Sequence, residues 1–184
     1  MSKKLLYMVG PFSTRSGYGD HARDIFHSFN DLDKFDIKVM DTRWGDTPRN
    51  ALKENDENDK KILDCIMPSP ELDRQPDVCV DVRIPNEFQP VGKFNIGVTA
   101  GIETTAVSPK WLEGVNKMDL TIVPSEHSKN GFLTSTYDKM QETPQGKQKI
   151  GELRLEKPIE VLFEGVHEEV FKKIDPSVSE CELV

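Results

Sequence analysis

The stretch Leu5-Leu6-Tyr7-Met8-Val9-Gly10-Pro11, followed by Ser16-Gly17-Tyr18-Gly19-Asp20-His21, decides how the rest of this chain is read. Leu5–Val9 is a short apolar run with no polar alternation, as in a strand buried on both faces of a parallel sheet. It breaks at Gly10-Pro11 and gives way to a Gly- and Ser-rich loop. Beyond the loop, Ala22, Ile25, Phe26 and Phe29 recur at helical spacing, which predicts a helix over Asp20–Phe29. Strand, glycine loop, helix is the opening unit of an α/β sheet.

The same alternation continues outward from there. Phe35–Met40 reads as a second strand, with Phe35, Ile37 and Val39 on one face. A helix over Lys60–Met67 is stopped by Pro68 and Pro70. Val78–Ile84 and Phe94–Thr99 are the third and fourth strands. Pro109 opens a helix carrying Trp111, Leu112, Val115 and Met118. Leu120–Val123 is the fifth strand, and Ser125 caps a helix running to Phe132 with Glu126 in its first turn. Thr134–Lys157 is polar and reads as a surface excursion, and Ile159–Phe163 is the sixth strand. The fold class expected is therefore α/β: a Rossmann-like, mostly parallel sheet of about six strands with helices on both faces.

Composition narrows the function classes. A net charge of −8 argues against a nucleic-acid surface, which needs clustered Lys and Arg. No run approaches the roughly 18–20 apolar residues of a membrane span, and Leu5–Val9 reads as a strand, not a secretory signal. The three cysteines (Cys65, Cys79, Cys181) lack CxxC spacing, so reduced thiols in a cytoplasmic protein are expected.

In an open parallel sheet, ligands bind outside the carboxyl ends of the strands. That rule selects the loops after Val9, Val98, Val123 and Phe163. In the first, Ser16-Gly17-Tyr18-Gly19 would let backbone N–H groups approach a phosphate or sugar hydroxyl, with Arg15 and His21 beside them. The same residues also read as a plain glycine turn with Asp20 as helix N-cap. Neither the GxGxxG fingerprint nor a P-loop is present. Asp41 is a lone candidate for a ribose contact, so a nicotinamide-dependent enzyme is disfavoured. In the loop after Val98, Glu103, Thr104 and Thr105 offer a carboxylate and two hydroxyls suited to sugar hydroxyls or a cationic transition state.

The segments Gly97-Val98-Thr99-Ala100-Gly101-Ile102-Glu103-Thr104, Pro109-Lys110-Trp111 and Met118-Asp119-Leu120-Thr121-Ile122-Val123-Pro124-Ser125 resemble the acceptor-side domain of retaining GT-B glycosyltransferases, family-4 enzymes and their phage-encoded relatives in particular. Val161-Leu162-Phe163-Glu164-Gly165-Val166-His167, with Phe171, is similar to the group's segment at the crossover between domains, with His167 where the group usually shows Asp. The resemblance covers roughly Lys4 to Phe171. It implies transfer of a sugar from a nucleotide-sugar to an acceptor hydroxyl, with no metal or other cofactor. It implies Glu103 as the catalytic residue, and Ser16, Gly17, Tyr18 and Gly19 near the donor phosphates. Arg15, His21, Thr104, Ser125 and Glu126 would face the acceptor. Many members place a histidine after the fourth strand, where this chain has Gly101 and Glu103.

The expected organisation is one domain over residues 1–172 and a tail over 173–184. The family's donor-binding domain would act in cis or in trans, docking on a patch around Phe12, Tyr18 and Val166. A non-catalytic module that binds a carbohydrate or a partner on the same fold is the alternative reading.

Overall fold

The computed structural model describes residues 3–144, 146–166, 168, 171 and 173. Its centre is a six-stranded parallel sheet of β1 (Lys4–Gly10), β2 (Phe35–Asp41), β3 (Val78–Val82), β4 (Phe94–Val98), β5 (Leu120–Val123) and β8 (Ile159–Val161). The strands lie in the order β2-β1-β3-β4-β5-β8. Among the described residues, four α-helices accompany them: α1 (Gly17–Asp31), α2 (Glu57–Leu63), α3 (Pro109–Val115) and α4 (Glu126–Thr134). The α/β, Rossmann-like class expected from the sequence is the class observed. Among the described residues, no helix is long and apolar enough to cross a membrane.

Alternation along the strands sorts the core into two faces. Leu6 and Met8 of β1, Val80 and Val82 of β3, and Val98 of β4 pack with Phe26 of α1 and Ile62 of α2. The opposite face is divided. Under β4, β5 and β8, residues Phe88, Leu112, Val115, Met118 and Phe132 form a second cluster with α3 and α4. Under β1 and β3 a smaller cluster of Tyr7, Val9 and Cys79 is buried, with Met40, Met67 and Leu72 packed against it. Burial there pushes the Cys79 thiol up to about 12, so it stays protonated.

Three sequence expectations change. The first helix starts at Gly17, not Asp20, because the Ser16 hydroxyl accepts from Gly19 N at 3.0 Å and takes the N-cap role. The helix expected over Lys60–Met67 runs from Glu57 to Leu63, capped by Asp56, whose carboxylate accepts from Asn58 N and Asp59 N. Residues 65–67 leave it to pair with β2: Val39 N donates to Cys65 O and Met67 N to Val39 O, both at 2.9 Å. The polar excursion contains an antiparallel ribbon of β6 (Tyr137–Thr143) and β7 (Gly146–Leu153).

The sheet order reverses direction at β1: β2 lies on one side of it and β3 on the other. The carboxyl ends of β1 and β3 therefore flank the switch point where such sheets leave a crevice. After β3 the backbone corner is locked from within. Asp81 is fully buried and takes two bonds of 2.7 Å from Arg83 Nε and Nη2, and a third from Gln89 N. Burial pushes the Asp81 carboxyl above its usual range, with the guanidinium working against that rise.

Candidate functional site

The loop between β1 and α1 is held from three sides. Thr14 is buried, and its hydroxyl donates to Pro11 O at 2.8 Å and shares a 2.8 Å bond with Ser16 Oγ. Arg23, one turn into α1, donates from Nη1 to Phe12 O at 2.6 Å and Thr14 O at 3.1 Å, and its Nη2 pairs with Asp20. From β2, Asp41 accepts from Ser13 N at 3.0 Å, bonds the Ser13 hydroxyl and pairs with Arg49 at 2.7 Å. The Asp41 side chain is only 5% exposed, so the carboxylate considered for a ribose is committed to holding this loop. Gly19 is pressed against the loop: an added Cβ would lie 2.5 Å from Thr14 O and 2.9 Å from Pro11 O. At Gly17 an added Cβ meets nothing within 4 Å.

The loop after β4 is anchored to α4. Gly101 has φ +81°, and an added Cβ would sit 2.5 Å from Ser128 Oγ, which itself donates to Ala100 O at 3.1 Å. His127 Nε2 donates to the Glu103 carbonyl at 3.1 Å, so Nε2 carries a proton in this arrangement. Thr104 Oγ1 donates to Ala106 O at 3.0 Å. Ser125 is the α4 N-cap, accepting from Ser128 N at 3.1 Å. The Glu103 and Glu126 side chains are exposed.

Tyr18 ties the two loops together across 81 residues of sequence. Its hydroxyl bonds Thr99 Oγ1 at 2.8 Å and accepts from Ala100 N at 3.1 Å. Burial raises the phenol pKa while these bonds pull against the rise, so it remains a neutral hydrogen-bonding group. Its ring stacks on Trp44, with centroids 4.3 Å apart and planes 27° from parallel. Around this pair opens a cleft of about 180 Å³ lined by Gly17, Tyr18, His21, Trp44, Ala100 and Glu164. His21 Nδ1 lies 3.4 Å from Glu164 Oε1. Four loops following β1, β2, β4 and β8 thus meet at one point on the carboxyl edge.

A second cleft, of about 380 Å³, opens on the other side of Gly17 and is lined by Arg15, Ser16, Asp20, Arg23 and Lys53. Arg15 is held at its rim by Nε donating to Asn50 Oδ1 at 2.8 Å. The two clefts differ in character. The first is aromatic with one carboxylate, whereas the second carries three cations in a chain of net charge −8. A third hollow, lined by Ile25, Phe29, Val80, Ile96, Val98 and Ile122, is nearly all apolar and holds no titratable group.

Of the residues selected from sequence, Gly17, Tyr18 and His21 line the aromatic cleft, and Arg15 and Ser16 the basic one. Gly19 is a packing position. Glu103, Thr104, Ser125 and Glu126 lie on the adjoining loop and helix start and do not line either cleft. Phe12, expected in an exposed docking patch, is fully buried against Phe26; Val166 is exposed. His167 falls outside the described residues.

Sequence reading missed Trp44, Arg23 and Lys53. Trp44 carried one usable signal, a lone tryptophan in the polar segment Arg43-Trp44-Gly45-Asp46 just past a strand's carboxyl end. No protein-family model, no curated protein and no solved structure matches this chain.

Proposed function

We propose that this chain is the acceptor-side half of a sugar-transferring enzyme of the GT-B kind, with a nucleotide-sugar held by a second, donor-binding domain in cis or in trans. One observation carries the reading. Loops far apart in sequence converge on the carboxyl edge of a parallel sheet around Tyr18, and they bring an aromatic pair, a carboxylate and an imidazole into one cleft. Aromatic faces with a few polar groups at the rim suit a polyhydroxylated ring, whose C–H faces are apolar and whose edge hydrogen-bonds.

In this reading the acceptor ring lies over Tyr18 and Trp44, and Glu164 and His21 orient its hydroxyls. The donor domain closes over the same edge, where Glu103 projects from the adjoining loop to steady charge that develops as the donor's glycosidic bond breaks. Tyr18 takes no part in phosphate binding, since its hydroxyl is committed to the loop after β4. The non-catalytic binding module shares this cleft and differs only in lacking transfer.

The test is transfer itself. The chain is joined to the donor-binding domain of a family-4 enzyme and incubated with that domain's nucleotide-sugar and a panel of saccharide acceptors. Glycoside product is followed by mass spectrometry. Product above a control lacking this chain is expected, and Glu103→Gln should slow its formation about tenfold, or about 1.4 kcal/mol of barrier, without unfolding the domain. If no acceptor is glycosylated while the panel still binds, the binding-module reading takes over.

A further inference from the structure

The two clefts share Gly17, and their chemistry is complementary along a single small molecule. We infer that the acceptor is a monophosphorylated sugar or cyclic polyol, its ring on the Tyr18–Trp44 stack and its phosphate among Arg15, Arg23 and Lys53. This rests on the sugar-transfer reading and names the substrate class of that same site.

Four observations converge on it. First, among the described residues the aromatic cleft has Glu164 as its one carboxylate and holds no Lys or Arg, so a phosphate placed there would meet a like charge. Second, the neighbouring cleft gathers Arg15, Arg23 and Lys53 against one carboxylate, Asp20, which is paired with Arg23. Exposed Arg15 and Lys53 are therefore the positive charges available to a ligand, while Arg23 is largely engaged by Phe12 O and Thr14 O. Third, Gly17 offers no side chain between the clefts, and the space its Cβ would enter is empty of protein atoms. Fourth, the stacked Trp44 and Tyr18 rings line one end of this path, held by stacking and by the Tyr18 hydroxyl bonds.

A ring with one attached phosphate satisfies both ends at once. A neutral sugar uses only the aromatic end, and inorganic phosphate only the basic end. Joining the two fragments makes the second contact intramolecular, so the whole molecule should bind more tightly than either part.

The experiment is calorimetric titration of the chain with glucose, myo-inositol, inorganic phosphate, UDP, and the 1- and 6-phosphates of glucose, mannose and galactose together with inositol 1-phosphate. At least one sugar or polyol phosphate should bind about tenfold or more tightly than its parent ring and than inorganic phosphate. Arg15→Ala combined with Lys53→Ala should remove that tenfold advantage and leave the parent ring unaffected. Trp44→Ala should weaken both ring and ring phosphate, and Trp44→Phe, which keeps an aromatic face, should restore most of the loss. Far-ultraviolet circular dichroism confirms that each variant is folded.

The inference is overturned if no phosphorylated ring exceeds its parent, or if the Arg15/Lys53 variant binds as the wild type does. It is also overturned if UDP binds as tightly as the best sugar phosphate and responds to the same substitutions, because the paired clefts would then be a nucleotide site. The two levels fail separately. Transfer onto unphosphorylated acceptors, indifferent to the Arg15/Lys53 change, would sink this inference and keep the sugar-transfer reading. Bipartite binding without any transfer would sink the sugar-transfer reading and leave the ligand class of the paired clefts standing, as that of a binding module.

Discussion

The loop after β1 and the loop after β4 reach the same edge of the sheet by opposite means. The first is closed on itself. Thr14, Ser16, Arg23 and Asp41 satisfy its backbone and hydroxyl groups from within and from β2, leaving Gly17 as the smooth ridge between two clefts. The second is pinned at Gly101, Ser128 and His127 but leaves its carboxylate, Glu103, in solvent. Among the described residues, the Tyr18 side chain fastens them together. In the proposed reading, the rigid, internally satisfied loop shapes the pocket, and the pinned loop holds its exposed acid toward the donor domain. The division of labour follows from where each loop spends its hydrogen bonds.

Gly19→Ala should break the comparison most severely. Its methyl would collide with two buried carbonyls at fixed backbone positions, and a cost of about 3 kcal/mol is expected in urea unfolding. A stability loss below about 1 kcal/mol would mean that the first loop is not rigid. Tyr18→Phe comes next. It strands Ala100 N–H and the Thr99 hydroxyl while keeping the stack on Trp44, so a loss of about 1–2 kcal/mol is predicted, with faster amide exchange at Ala100 and Gly101. Unchanged exchange there would show that the loops stand independently. Gly17→Ala has the smallest effect on stability, within about 0.5 kcal/mol of wild type, because the position is open and helical. Its consequence belongs to binding, where the methyl would occupy the ridge. The pair Gly17 and Gly19 thus separates two roles that one motif had merged.

How much was legible in the sequence follows from which groups interact locally. The parallel strands were readable from two marks: β1 and β3 are short apolar runs buried on both faces, and the edge strand β2 alternates Phe35, Ile37 and Val39 with charged or polar residues. The β6–β7 ribbon was not, because its strands lie largely in solvent and Tyr137-Asp138-Lys139-Met140-Gln141-Glu142-Thr143 has no apolar face to repeat. The start of α1 was misplaced by three residues because Ser16 and Asp20 are both good caps. The choice between them is made by Thr14, whose buried hydroxyl fixes Ser16. Gly17, Tyr18 and His21 were selected from the glycine loop at a strand's carboxyl end and from the family resemblance, and all three line one cleft. Trp44 was not, since its stacking partner lies 26 residues earlier in sequence and only the closed sheet brings β2's exit beside α1. Glu103 stands at the strand end where it was expected, and the residues that hold its loop, Ser128 and His127, are contributed by α4.

The central claim is that the point where these loops meet around Tyr18 is the ligand site, and residue-resolved amide and indole NMR of the isotopically labelled chain tests it most directly. Saturation with the tightest-binding saccharide or sugar phosphate should move signals of Gly17, Tyr18, Ala100 and the Trp44 indole together, leaving Tyr7, Val80 and Trp111 in place. Shifts confined to the apolar hollow beside Phe29 and Ile96, or a spectrum unmoved by any saccharide, would contradict it.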